Sequence, residues 1–196
     1  MIPIFSYLLL KGRCADCGQS INPLHIQMEL ASAVIAGSAF AFTPLPQALI
    51  WSLLGWQLLL IAVLDHRHFW LPDILILILG VSGLACAHIL PQAPDLIARL
   101  IGAVAGYGAL KAVALTYKLW RKRDGLGAGD PKLLAAIGCW TGWQVLPMLV
   151  LIAACFGLVA AAYLKLAGKD IDASQKLPLG TFLALATIVL MVLARL

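Results

Sequence analysis

The stretch ALIWSLLGWQLLLIAVLDHRHFWLPDILILILGVSGLACAHIL, residues 48–90, decides how this chain folds. It holds two apolar runs, 48–64 and 73–90, joined by a short polar break that contains Asp65, His66, Arg67, His68 and Pro72. A helix that crosses a bilayer needs roughly 20 apolar residues, within a range of about 17–25. Each run meets that length, so the stretch reads as two membrane helices joined by a tight polar connection.

Five more apolar segments lie outside it, at 28–42, 97–119, 131–142, 145–165 and 178–195. The segments 28–42 and 131–142 are short. Each is either a span completed by flanking residues or a partial helix covered by its neighbours. The whole chain of 196 residues is 62% hydrophobic and only 12% charged, with mean hydropathy +0.96. Soluble domains carry roughly 45–50% apolar and about 25% charged residues. The expected fold is all-α, a polytopic transmembrane bundle of about six or seven segments. The opening MIPIFSYLLLKGRC has its basic residues after the apolar stretch, an order that does not read as a cleavable signal peptide.

The formal charge of +5 is a topology signal before anything else. Loop 43–47, loop 91–96 and the turn near 141–144 hold no Lys or Arg. The alternate connections hold Lys11 and Arg13, then Arg67, then Lys118, Arg121, Lys122 and Arg123, then Lys165, Lys169 and Lys176. Positive residues in short loops stay on the cytoplasmic side. Residues 1–27 are therefore expected inside and the C-terminus outside, with lipid as the surrounding partner and no nucleic acid. In the segment 97–119, Gly102 and Gly106 form a GxxxG with Gly108 beside them, a pattern for close helix packing. Arg99 is near the outer end and can snorkel, while the deeper Lys111 suits a wet interior or an acidic partner.

Acids at membrane segments are costly and so point to function. Of nine in the chain, Asp16, Asp124, Asp170 and Asp172 lie in polar loops and Asp95 opens a segment from the outer side. Glu29, Asp65, Asp73 and Asp130 remain. Asp65 closes one apolar segment, and Asp73 and Asp130 open two others, all at the cytoplasmic ends. Two carboxyl groups brought close cannot both ionise. Sharing one proton, they can activate water and donate to a carbonyl, which is metal-free peptide hydrolysis. Gly127 and Gly129 precede Asp130 and permit close approach of another chain. Pro131 suits a first helical turn. Read alone, GAGD describes a capped loop equally well.

Beyond these residues, LLLIAVLDHRHFWLPD (58–73) and GLGAGDPKLLAAIGCWTGW (125–143) resemble the two aspartate motifs of the bacterial type IV prepilin peptidases. Asp65, Pro72 and Asp73 match the first motif. Gly127, Gly129, Asp130, Lys132 and Leu133 match the second. SYLLLKGRCADCGQSINPLHIQMEL (6–30) is similar to the family's cytoplasmic segment, including Cys14, Cys17 and Glu29. The resemblance implies Asp65 and Asp130 as the catalytic acids, with Gly127, Gly129, Lys132, Asp73 and Glu29 in supporting or substrate-binding roles. For Lys132 the alternative is a helix-start lysine facing headgroups. It also implies an aspartic endopeptidase of the bacterial inner membrane, multi-pass, with its site towards the cytoplasm. Such enzymes cleave the basic leader from prepilins or type II secretion pseudopilins without a cofactor. Many members then methylate the new N-terminus with S-adenosylmethionine.

On this resemblance residues 1–27 are a cytoplasmic segment with a single CxxC, a remnant of the N-terminal family domain, and 28–196 are the peptidase domain. Only Cys14 and Cys17 stand where the family often has four cysteines. Structural zinc takes four ligands, so Cys14 and Cys17 are half a zinc site, with His25 the nearest further donor. His66 and His68 beside Asp65 offer a second metal reading, against which stands a basic juxtamembrane loop with Phe69 and Trp70 at the interface. Two other functions fit membrane-edge acids: a GxGD protease of the presenilin or signal-peptide-peptidase type, and a transporter or assembly scaffold.

Overall fold

The computed structural model describes residues 3–90, 93–122, 125–168 and 178–193. Pro91, Arg123, Asp124, Lys169, Asp170, Asp172 and Lys176, used above for topology and loops, lie outside the described residues. Those described form eight α-helices and no strand: α1 (Pro3–Leu9), α2 (Pro23–Phe42), α3 (Leu45–His68), α4 (Asp73–Cys86), α5 (Leu96–Arg121), α6 (Asp130–Thr141), α7 (Leu146–Leu166) and α8 (Leu179–Leu193). A 3-10 turn, Ala87–Ile89, extends α4. Four helices are long and apolar enough to cross a membrane: α2, α3, α5 and α7. α4 with its 3-10 turn, and α8, are shorter apolar helices. The fold is an all-α membrane bundle.

Local chemistry sets the helix ends. α2 starts at Pro23, where a missing N–H costs nothing, and the Asn22 side chain accepts from Leu24 N at 2.9 Å. It stops at Thr43, since the residue before Pro44 disfavours the α conformation. α5 starts where Asp95 Oδ1 accepts from Ala98 N at 3.1 Å, and it ends on Lys122 in the left-handed region. The segment at 28–42 is thus completed to a 20-residue helix by its N-terminal flank.

The chain divides into two compact units, Met1–Leu59 and Leu60–Leu196. In the first, Trp56 Nε1 on α3 donates to the Ser32 carbonyl of α2 at 3.1 Å. The remaining description concerns the second unit. Its centre is α6, only 12 residues long, with every residue from Asp130 to Trp140 buried except Lys132 and Ala135. α4, α5, α7 and α8 all pack on it. This short helix is the case of a partial helix covered by protein. Burial in protein is the condition for a short helix at membrane depth.

Glycine makes that burial close. A Cβ on Gly102 of α5 would lie 2.7 Å from the Gly138 carbonyl oxygen of α6, and one on Gly106 would lie 2.8 Å from the Leu134 oxygen. A Cβ on Gly138 would strike the Gly102 backbone. The GxxxG of α5 thus seats α6 backbone to backbone, while Gly108 faces open space. On the other side, Trp140 Nε1 donates to the Leu79 carbonyl of α4 at 2.8 Å, with its ring against Gly83.

Arg99 corrects an expectation. It does not snorkel: it is 4% exposed, and its Nη1 donates to the Gly83 and Leu84 carbonyls at 3.0 and 3.2 Å. Those oxygens belong to the last turns of α4, where the Gly83 carbonyl also accepts from the Ala87 N–H. The guanidinium caps them from the neighbouring helix. Lys111, by contrast, is exposed on α5 and does not face an interior.

Candidate active site

Asp65 sits in the last turn of α3, and Asp130 is the first residue of α6. Both are buried, at 5% exposure each, among few buried charged side chains. A helix C-terminus and three helix N-termini meet around them. Two of the starts, those of α6 and α8, touch one shared residue. Leu71, between α3 and α4, lies against both Gly129 and Gly180. A Cβ on Gly129 would come 2.8 Å from Leu71 Cβ, and a Cβ on Gly180 would come 3.1 Å from Leu71 Cδ1. The third start, that of α4, is tied in through its first residue. Asp73 accepts from Lys132 Nζ of α6 at 2.7 and 2.9 Å. That ion pair is exposed, and sequence alone does not reveal it.

Each acid has its own support. Gly127 N donates to Asp130 Oδ2 at 3.1 Å, so the glycine turn folds back onto the carboxyl that follows it. A Cβ on Gly127 would sit 2.9 Å from that oxygen. Asp65 Oδ2 accepts from Thr181 N at 2.7 Å and lies 3.1 Å from Thr181 Oγ1, at the start of α8. Asp130 precedes the apolar run of α6. Burial first, and the Asp65 charge second, push its carboxyl from the ordinary 3.8 up to about 6, against the opposing Gly127 N–H.

Gly180 and Thr181 escaped the sequence reading. Their only signal is a Gly followed by a hydroxyl residue at the start of an apolar segment, which by itself reads as helix packing. Gly127 is exposed and Gly129 half-buried. Glu29 is half-buried on α2, in the N-terminal unit.

Cys14 and Cys17 lie in a turn that an isolated bridge between Arg13 and Ser20 closes. Cys14 N donates to the Gln19 carbonyl and Gly18 N to the Cys14 carbonyl, at 2.8 and 3.0 Å. The backbone N–H of Cys17, then that of Asp16, hydrogen-bonds the Cys14 thiol and draws its pKa below the ordinary 9.0. Among the described residues no three His, Cys, Asp or Glu converge to hold a metal ion. The two thiols supply half of a tetrahedral zinc set, and the residues present do not complete it. His66 and His68 are exposed and do not form a three-ligand group with Asp65.

Comparison with known proteins follows the same residues. The model of the type IV leader peptidase family matches residues 52–162, a span that contains both acids and the α4–α6 core. The chain belongs to the type IV leader peptidase family. A second model, the bacterial peptidase A24 N-terminal domain, matches residues 1–43. A prepilin leader peptidase/N-methyltransferase of Pseudomonas aeruginosa is 37% identical over 190 residues, covering 94% of this chain and 63% of that protein. Proteins of the same name from Burkholderia pseudomallei and Pseudomonas putida are 40% and 35% identical, covering 93% and 94% of this chain and 59% and 64% of those proteins. The chain thus spans about six-tenths of the length of the curated relatives it matches. No solved structure matches it.

Proposed function

We propose that the chain is a membrane aspartic endopeptidase that removes the leader peptide from prepilins or pseudopilins, with Asp65 and Asp130 as its catalytic pair. The observation that carries this is the meeting of two buried carboxyl groups from separate helices, with Leu71 lying against both Gly129, which precedes Asp130, and Gly180, which abuts Asp65. Two carboxyl groups placed this way can share one proton. The ionised member takes a proton from water as the oxygen attacks the scissile carbonyl carbon. The protonated member donates to the carbonyl oxygen as it becomes negative. Collapse of the tetrahedral species then returns a proton to the leaving amine. Gly127 and Gly129 let an extended peptide approach, and displacement of Leu71 from its seat between Gly129 and Gly180 would make room for it.

The basic residues support a cytoplasmic site in the bacterial inner membrane. Arg67 follows Asp65 at the end of α3, while Lys118 and Arg121 end α5 and Lys165 ends α7. These helix ends connect to the starts of α4, α6 and α8, where the acids lie, and positive connections stay inside. Residues 1–27 fit a cytoplasmic segment and 28–196 a peptidase domain.

N-methyl transfer appears in the names of the relatives, and S-adenosylmethionine is the donor that the family resemblance implies for it. The glycine segment 125–129 does not fit as a cradle for that group. The Gly127 N–H is engaged by Asp130, and the space over Gly129 is filled by Leu71. Proteolysis is the activity that these acids support, and methylation of the new N-terminus is a second proposal that rests on the relatives' names.

Co-expression with candidate prepilins, followed by mass measurement of the product, tests the reading. Loss of the leader mass at the boundary between leader and mature chain supports it. An additional 14 Da (roughly, one methyl group replacing hydrogen) would assign methylation as well. A cut inside the substrate's apolar helix would favour a presenilin-type protease, and no cut would overturn the peptidase reading.

A further inference from the structure

The start of α8 carries no role in the two-carboxylate scheme above, yet it makes the closest polar contacts to one of the acids. Thr181 is the third residue of α8, where the backbone N–H lacks a helical acceptor. That N–H donates to Asp65 Oδ2 at 2.7 Å. The Thr181 hydroxyl stands between two acceptors, 3.1 Å from the same Oδ2 and 3.0 Å from the Ala62 carbonyl oxygen on α3. Gly180 completes the fit: a Cβ there would lie 2.9 Å from Asp65 Oδ2 and 3.0 Å from its Cγ. Glycine is required for the carboxyl to reach the helix end at all.

We propose that Thr181 is a positioning residue for Asp65, fixing Oδ2 through its N–H and hydroxyl so that Oδ1 is the oxygen presented to water and substrate. The inference rests on the peptidase reading. A carboxyl on the last turn of a helix has more than one staggered rotamer open to it. The N–H fixes Oδ2, and the single hydroxyl proton, shared between Oδ2 and the Ala62 carbonyl, holds the α8 start against the α3 backbone one turn before Asp65. The consequence is kinetic. A base misplaced by about 1 Å costs on the order of 100-fold in rate without changing how substrate docks.

The test uses the full chain in liposomes with a purified prepilin, measuring kcat, KM and the thermal midpoint for four proteins. Thr181→Val keeps the N–H and loses the hydroxyl; its kcat is expected to fall roughly 10- to 100-fold with KM within about two-fold of wild type. Thr181→Ser restores the hydroxyl and is expected to recover kcat to within about three-fold. Gly180→Ala pushes a methyl against the carboxyl and is expected to lower kcat with KM held. It carries the test should Thr181→Val not insert. Wild-type kcat in Thr181→Val, or equal loss in Thr181→Ser and Thr181→Val, overturns the proposal. So does a loss that appears only in KM or tracks the thermal midpoint. Asp65→Ala is measured alongside. If wild type does not cleave, or Asp65→Ala still does, the peptidase reading fails instead.

Discussion

Lys132 Nζ on α6 lies 2.7 Å from Asp73 Oδ1 on α4, so the helix that begins with Asp130 is tied at its first turn to the helix that follows Asp65. Both partners are well exposed, at 43% and 73%. Exposed ion pairs contribute little to stability, about 0–1 kcal/mol. The pair is better placed to hold the α4 and α6 starts in register than to stabilise the fold.

A double-mutant cycle on Lys132→Ala and Asp73→Ala should therefore give a coupling below about 1 kcal/mol in thermal or denaturant unfolding. Cleavage should fall severalfold in each single variant and no further in the double. A coupling well above that range would mean the pair is far less solvated than its exposure indicates.

Gly138 should tolerate no side chain. Gly138→Ala sets a methyl against the Gly102 backbone, which has no flexible end to yield. Unfolding in mild detergent is expected to show a loss of about 2–4 kcal/mol. Gly108→Ala, which meets open space, should stay within about 0.5 kcal/mol of wild type. Equal effects at the two sites would contradict the backbone-to-backbone seating of α6.

Arg99→Leu removes the donors from the Gly83 and Leu84 carbonyls. Gly83 keeps the Ala87 N–H, so the loss is of two charge-assisted bonds and is expected to cost about 1–3 kcal/mol in all, seen as a lowered thermal midpoint with little change in KM. An unchanged midpoint would show that water or lipid replaces the guanidinium.

Asp130 gives a pH-dependent prediction. Its folded pKa of about 6 lies above the ordinary 3.8. The folded state therefore favours the protonated form. Its stabilising effect is complete below about pH 4 and lost as pH rises through 6. Above that, the buried charge costs on the order of 2–3 kcal/mol. Asp130→Asn cannot ionise, so it should melt higher than wild type at pH 7.5 and equally at pH 4. A variant less stable than wild type at pH 7.5 would contradict the assigned cause.

Much of this was legible in the sequence because lipid imposes a coarse rule. The seven apolar segments correspond to α2 to α8, with Pro44, Pro46 and Pro72 marking connections. Asp65 and Asp130 stood out since acids at helix ends need a reason. Other features depend on which helices become neighbours, and the apolar runs carry no such information. From Leu133 to Trp140 α6 is apolar on all sides, so its central place leaves no stripe to read. Thr181 meets Asp65 across a sequence separation of 116, and a lone threonine after glycine gives no hint of that. Arg99 is ambiguous in sequence because snorkelling and capping a neighbour both suit an arginine near a helix end.

The most direct measurement is the rate of prepilin cleavage in membranes by Asp65→Asn and Asp130→Asn, each checked for insertion and thermal midpoint. Either neutral amide should reduce the rate by at least about 1,000-fold, although Asp130→Asn folds as well as wild type or better. Full processing by either variant would show that these two carboxyl groups do not perform the hydrolysis.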